Sequence, residues 1–317
     1  IINNITMQIR KMTMKETIRY VSAILITSLV MLITLMILGI FIPLAPESEN
    51  ADNSLIIMLL LFILTTVYAG LIITIMLNAR GSQLQLTLGL FVSFYGVQTV
   101  VGQIEALFFL TPLAESFGAG SIPAIQMPLK FIRAQFIIWA FVALTGILSA
   151  RLLMKQNDQK SPKPVKIFPN YSFIHWLYRI LIIIITYELL YFSFGYFIAW
   201  QNPDILEFYQ GKDPGSFFLQ MKYVFTKTPG LLALQAFRSL LWMLFLLPVI
   251  RMVAHKNITG SLIVGFYAAL PLTIPNLIPN PFMPEEVRII HFVETVTSTF
   301  IFGVIVFRVF RKPINQN

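Results

Sequence analysis

The stretch 54–77, SLIIMLLLFILTTVYAGLIITIML, contains no charged side chain. A transmembrane α-helix needs about 20 consecutive and mostly apolar residues, so this stretch is long enough to cross a bilayer. Hydrocarbon offers no hydrogen bonds to the backbone, and a helix satisfies its own N–H and C=O groups within the segment. The stretch therefore predicts a membrane-spanning helix.

Similar apolar runs lie on both sides of this stretch and continue to the end of the chain. They predict an all-α integral membrane protein, a polytopic bundle of about eight transmembrane helices that forms one membrane domain over 1–317. The predicted spans are about 20–43, 54–77, 84–110, 131–153, 173–200, 230–250, 258–278 and 285–310.

The composition agrees with lipid as the main solvent. Of the 317 residues, 57 % are hydrophobic and 12 % are charged, against about 45–50 % and about 25 % in soluble domains. The chain has no cysteine, which excludes disulfides, thiolate metal sites and cysteine nucleophiles.

The distribution of charge predicts the orientation. Most of the 23 Lys and Arg residues lie in segments on one side of the predicted spans, including the linker 154–172, whereas most loop acids lie on the other side. Lys and Arg collect in short cytoplasmic loops, so we expect both termini and this linker to be cytoplasmic, most simply at the plasma or inner membrane. Topology then accounts for the net charge of +9 without a nucleic-acid partner. The bilayer is the expected partner, and the sequence indicates no particular protein partner.

Ionisable side chains inside the spans point to a site. Each costs about 2.5–3.5 kcal/mol at the centre of a spanning helix, and such groups normally face the bundle interior and mark function. With the predicted orientation, the ionisable residues well inside the spans lie in the outer halves, and the inner halves hold almost no buried charge, which predicts one polar cluster reached from outside. The candidate substrate-binding residues are Glu105, Glu188, Tyr191, Arg238, Arg288, His291 and Glu294.

Helical spacing places several candidates on shared faces. In the third span, Tyr95, Gln98 and Glu105 fall on one face of a straight α-helix, and in the fifth span Glu188 lies near Tyr191. The third, fifth, sixth and eighth spans are therefore each expected to present one polar face to a common interior.

The first functional hypothesis is a transporter-like protein that binds a small solute, anionic or proton-coupled, in an outward-facing polar cavity. Arg238 and Arg288 would hold an anion. Glu105 and Glu188 would carry protons or pair with the arginines, and His291 with Glu294 would relay protons, because histidine changes charge near neutral pH.

Two alternatives remain open. The first is an integral membrane enzyme that acts on a lipid-linked substrate at the outer leaflet. In it His291 is the general base, Glu294 orients the ring and Arg288 clamps a phosphate or carboxylate. The second is a non-catalytic membrane subunit whose buried charges form structural ion pairs. We expect no cofactor and no metal, since histidine and thiolate ligands are scarce.

Two local patterns outside the charge cluster carry structural predictions. The run 216–225, SFFLQMKYVF, spaces its apolar residues for one helical face, which predicts a helix at the outer surface or over a cavity. Pro271 and Pro275 interrupt the seventh span, which predicts a kinked or broken helix.

Overall fold

A computed structural model describes residues 13–42, 54–109, 129–154, 164–208, 215–255, 257–280 and 283–311. These residues are mostly helical and contain no β-strand, and eight of their helices are long and apolar enough to span a membrane. This confirms the predicted all-α polytopic bundle. The helices are α1 Met14–Phe41, α2 Ser54–Asn78, α3 Gln83–Phe109, α4 Leu129–Leu153, α5 Phe173–Ala199, α6 Pro203–Phe208, α7 Phe217–Lys227, α8 Pro229–Met252, α9 Ile258–Leu277 and α10 Glu285–Arg311.

The first helix begins before the apolar run that predicted it. It starts at Met14 rather than near residue 20, because Thr13 and Glu16 form a capping box. The Glu16 backbone N–H donates to Thr13 Oγ1 at 3.2 Å, and the Thr13 N–H donates to Glu16 Oε2 at 3.0 Å. Satisfying two N-terminal donors in this way extends the helix into polar sequence.

Neighbouring helices run antiparallel, so their ends form two faces of the bundle. We call the end around Arg80, Arg251 and Arg311 the basic face, and the opposite end the far face. At the basic face, the Arg80 N–H donates to the Met252 carbonyl at 2.7 Å. Arg311 also donates to the carbonyls that follow α8, including that of Val253 at 2.7 Å. These bonds tie the ends of α2, α8 and α10 together.

The segment 164–172 of the predicted linker packs at the basic face, and residues 155–163 of that linker lie outside the described residues. The Val165 N–H donates to Gln85 Oε1 at 2.8 Å. The Tyr171 hydroxyl donates to the Phe310 carbonyl at 3.3 Å. This part of the linker is therefore fixed to α3 and α10.

The helices α9 and α10 form the most extensive contact between spans. A Cβ atom added at Gly303 of α10 would lie 2.6 Å from Ala268 Cβ and 3.1 Å from Gly265 Cα. Small residues allow such close approach of backbones, which drives association where lipid removes the hydrophobic effect.

Two spans contain a π-helical turn, Gly96–Val100 in α3 and Gly195–Ala199 in α5. A π-turn adds about one residue to a helical turn and rotates the remainder of the helix by about 100°. Tyr95 accordingly donates to the Phe136 carbonyl of α4, whereas Glu105 contacts α8. The straight-helix expectation that both lie on one face is therefore wrong.

The far face contains the two local features expected from the sequence. The run 216–225 forms α7, whose Phe217 ring stacks on Phe197 of α5 at 5.6 Å between centroids. The proline-containing end of α9 becomes the 3₁₀ turn Ile274–Leu277. Both structural predictions are confirmed at the level of the element.

Candidate functional site

The centre of the site is a two-bond ion pair between α3 and α8. Arg238 Nη1 donates to Glu105 Oε1 and Nη2 donates to Glu105 Oε2, each at 2.6 Å. The Arg238 side chain is 3 % exposed and that of Glu105 is 32 % exposed. This bidentate geometry is the strong form of the arginine–carboxylate interaction, so the buried cation is neutralised.

Three other side chains complete the surroundings of the arginine. Gln235 Oε1 accepts from Arg238 Nη1 at 2.9 Å. The guanidinium carbon lies 5.9 Å from the centre of the Tyr187 ring, within the range of a cation–π contact. Tyr191 stacks on Tyr187 at 6.4 Å between ring centres and lies near Glu105 and Arg238. The α5 tyrosines therefore form one wall of the site.

The last span contributes a second polar pair. His291 Nδ1 lies 3.2 Å from Glu294 Oε2, and both side chains are largely buried. Glu294 lies near Tyr187 and Tyr191, the two tyrosines that also lie near the arginine. A Cβ atom at Gly195 would lie 3.5 Å from Glu294 Oε1, so the carboxylate packs against the π-turn of α5.

We call this group the polar cluster. It joins four spans, α3, α5, α8 and α10. Its members are Glu105, Tyr187, Tyr191, Gln235, Arg238, His291 and Glu294.

The cluster lies inside the bundle towards the far face. Arg238 and Glu294 each follow the far-face end of their helix by about nine residues, which corresponds to about 14 Å along the axis. The two π-turns lie next to the cluster in sequence, before Glu105 and after Tyr191. Such turns are frequent at functional sites.

Glu188, one of the predicted site residues, takes a different position. It is only partly buried, and its neighbours Ile185 and Leu189 are 56 % and 62 % exposed. Within the described ranges no hydrogen bond or ion pair connects it to the polar cluster. Glu188 lies on the side of α5 that faces away from the bundle interior. Its role in binding stays a prediction.

Arg288 also lies apart from the ion pair. Its side chain is buried, and its Nη1 donates to the Asn276 carbonyl of the 3₁₀ turn at 3.2 Å. It is the predicted site residue nearest to the far face on α10.

Among the described residues, no three His, Asp or Glu side chains gather as potential metal ligands. The cluster instead offers two carboxylates, one guanidinium, one imidazole and two phenols. Such a set can hold a small polar solute by hydrogen bonds and can accept or release a proton.

Tyr187 belongs to the site although it was not among the predicted site residues. Tyr187 and Tyr191 lie one helical turn apart, so the spacing that selected Tyr191 also selects its neighbour. Nothing in the local sequence could have shown that Arg238 forms an ion pair with Glu105, because the two residues are 133 positions apart.

Comparisons of the chain with protein families, with curated proteins and with solved structures found no match. The function is therefore argued from the geometry of the polar cluster.

Proposed function

We propose that this multi-pass membrane protein is transporter-like, and that its polar cluster binds a small solute whose movement is coupled to protons. The observation that carries the proposal is the convergence of ionisable side chains from α3, α8 and α10, with the tyrosines of α5, inside the bundle towards the far face. The proton-carrying pair in this proposal is His291–Glu294.

The charges of the cluster support this role. Glu105 already neutralises Arg238 through two hydrogen bonds, so a structural ion pair needs no further acid. Glu294 is an additional carboxylate that is largely buried, and it forms a hydrogen bond with His291. Histidine is the side chain that ordinarily changes charge near neutral pH, and intramembrane acids and histidines form proton relays in transporters.

The backbone near the polar cluster also supports the proposed transport function. Both π-turns and the broken end of α9 occur in the half of the bundle that contains the cluster. Irregular helical backbone at membrane depth is tolerated where protein buries it or a cavity contains water. These segments give the helices around the cluster a place to bend.

The test measures proton movement in proteoliposomes that contain the purified protein and a trapped pH-sensitive dye. Carboxylates, phosphate, amino acids, amines and sugars are added one class at a time outside the vesicles. We expect at least one class to change the internal pH beyond the change in protein-free vesicles. Glu294→Gln removes the titratable carboxylate and should reduce the solute-dependent rate to background.

Glu207→Gln is the matched control, because Glu207 is an exposed acid of α6 outside the cluster. It should retain the full rate. The proposal is wrong if no solute class moves protons, or if Glu294→Gln transports as well as the unchanged protein.

The His291–Glu294 contact also favours a second function, the membrane enzyme. A carboxylate at 3.2 Å from an imidazole nitrogen can orient a histidine that acts as general base. An enzyme would convert a lipid-linked substrate without changing the internal pH of the vesicles. Product formation that depends on His291, without proton movement, would support the enzyme over the transporter.

A further inference from the structure

Arg288 is a buried cation that has no carboxylate partner among the residues that the structure describes. Arg288 is 6 % exposed, and its Nε atom is buried and has no acceptor among the described residues. Within the part of the chain that the structure describes, its one hydrogen bond from the side chain runs to the Asn276 carbonyl. Taking an isolated charge out of water costs several kcal/mol unless it is compensated.

The other buried arginines are compensated. Arg238 has the carboxylate of Glu105. Arg179 lies over the Tyr171 ring at 4.2 Å, which is a close cation–π contact. Arg288 differs from both of them, because a single neutral carbonyl faces its charge.

The described acids on α10 and on the adjacent helix α6 do not neutralise it. Glu285 and Glu286 precede it on α10, and Asp204 and Glu207 lie on α6, which packs against α10. All four are exposed, and no ion pair connects any of them to Arg288. Within the described ranges, the Arg288 guanidinium therefore has no ion-pair partner, whereas the acids in the first turn of α10 offset the positive end of the helix dipole.

The geometry of the guanidinium indicates what would compensate it. Nη1 is used on the Asn276 carbonyl, whereas the edge formed by Nε and Nη2 has no acceptor among the described residues. Two parallel N–H groups along one edge match the two oxygens of a carboxylate or phosphate.

We propose that Arg288 is the centre of an anion-binding site at the far face, which takes a phosphate or carboxylate group. The site lies between α10 and the 3₁₀ turn Ile274–Leu277, apart from the polar cluster. Because Nε is enclosed in this structure, binding requires a local shift of the side chain or of the turn. The anionic group belongs either to a soluble anion or to a phospholipid headgroup.

The experiment measures thermal unfolding of the full chain through its tryptophan fluorescence. In the first arm, the protein in a neutral detergent is titrated with inorganic phosphate against chloride at equal ionic strength. In the second arm, the protein is compared in nanodiscs of phosphatidylcholine alone and with added phosphatidylglycerol. A ligand that binds only the folded state raises the unfolding temperature.

We expect a saturable rise in at least one arm, and the arm that responds identifies the source of the anionic group. Arg288→Gln should raise the anion concentration that gives half of the maximal response about tenfold or more, because it removes the charge and the two-donor edge. Arg288→Lys keeps the charge but not the edge, so it should bind with intermediate strength and tests the site if the Gln variant does not fold. Arg133→Gln, which changes an exposed arginine of α4, should respond like the unchanged protein.

The proposal is overturned if neither arm gives a saturable response, or if Arg288→Gln and Arg288→Lys both respond like the unchanged protein. The result is separate from the proposed transport function, because binding is measured without a gradient. Glu294→Gln should keep the anion response even though it stops proton movement.

Discussion

The two side chains of the ion pair between Arg238 and Glu105 differ in their exposure to solvent. The arginine side chain is 3 % exposed, whereas the glutamate side chain is 32 % exposed. Removal of the glutamate leaves a buried cation, whereas removal of the arginine leaves a carboxylate that still has access to polar surroundings. The energetic cost of breaking the pair therefore depends on which partner is removed.

We predict that Glu105→Ala lowers the free energy of unfolding by about 3–5 kcal/mol, since it leaves the guanidinium unpaired. Arg238→Met, which is similar in volume, should cost less, about 1–3 kcal/mol. The double variant should be close to Arg238→Met alone. Denaturant unfolding in detergent would measure all three values.

Arg133→Met is the control for this cycle, because Arg133 is exposed and its loss should change stability by less than about 0.5 kcal/mol. Equal costs for the two single variants, with an additive double variant, would show that the pair is not coupled as the structure indicates.

At the scale of the helix, the contact of α9 with α10 depends on glycine. A Cβ atom at Gly303 would meet the Val264 carbonyl oxygen at 3.0 Å as well as Ala268. Backbone atoms cannot move aside as a flexible side chain can. A larger residue must therefore separate the two helices.

We predict that Gly303→Val destabilises the protein by about 1–3 kcal/mol through overpacking. The temperature of half-unfolding in detergent would show the loss. Gly70→Ala is a matched control, because no heavy atom lies within 4 Å of the added Cβ and alanine favours a helix by about 1 kcal/mol over glycine. A Gly303→Val protein as stable as the unchanged chain would contradict the close packing of α9 on α10.

At the scale of the whole molecule, the two faces of the bundle differ in charge. Arg80, Arg251 and Arg311 lie at the basic face, whereas the far face carries cations such as Lys227 together with acids such as Glu207 and Glu285. Basic loops are retained on the cytoplasmic side. The polar cluster and Arg288 would then both be nearer to the outer surface.

The absence of cysteine from the chain allows a direct test of this orientation. We predict that Glu207→Cys reacts with a membrane-impermeant maleimide in intact cells. Arg80→Cys should react only after the membrane is permeabilised. Both positions are exposed, so a difference in labelling reports the side of the membrane.

The unchanged chain is the negative control, since it has no thiol to label. The reverse pattern would invert the orientation, and the polar cluster would then lie nearer to the cytoplasm.

The candidate site could be predicted only in part. The depth and type of its residues could be derived from single positions, because a charge inside an apolar run is unusual whatever surrounds it. The partners could not be derived in this way. Arg238 pairs with Glu105 and leaves Glu188 outside, and the π-turn at Gly96–Val100 rotates Glu105 towards α8. That turn begins at Gly96, where an added Cβ would lie 2.2 Å from the Phe245 ring of another helix.

The apolar runs alone are enough to define this chain as a membrane protein of eight spanning helices, because span length, backbone hydrogen bonding and hydropathy are local properties of each segment. Which charges meet is a property of the assembled bundle. Pairing depends on how the helices are rotated and stacked, and contacts between residues far apart in the chain set that rotation. For that reason each span could be derived from its own residues, whereas the polar cluster and the position of Arg288 beside the 3₁₀ turn depend on how the helices pack together.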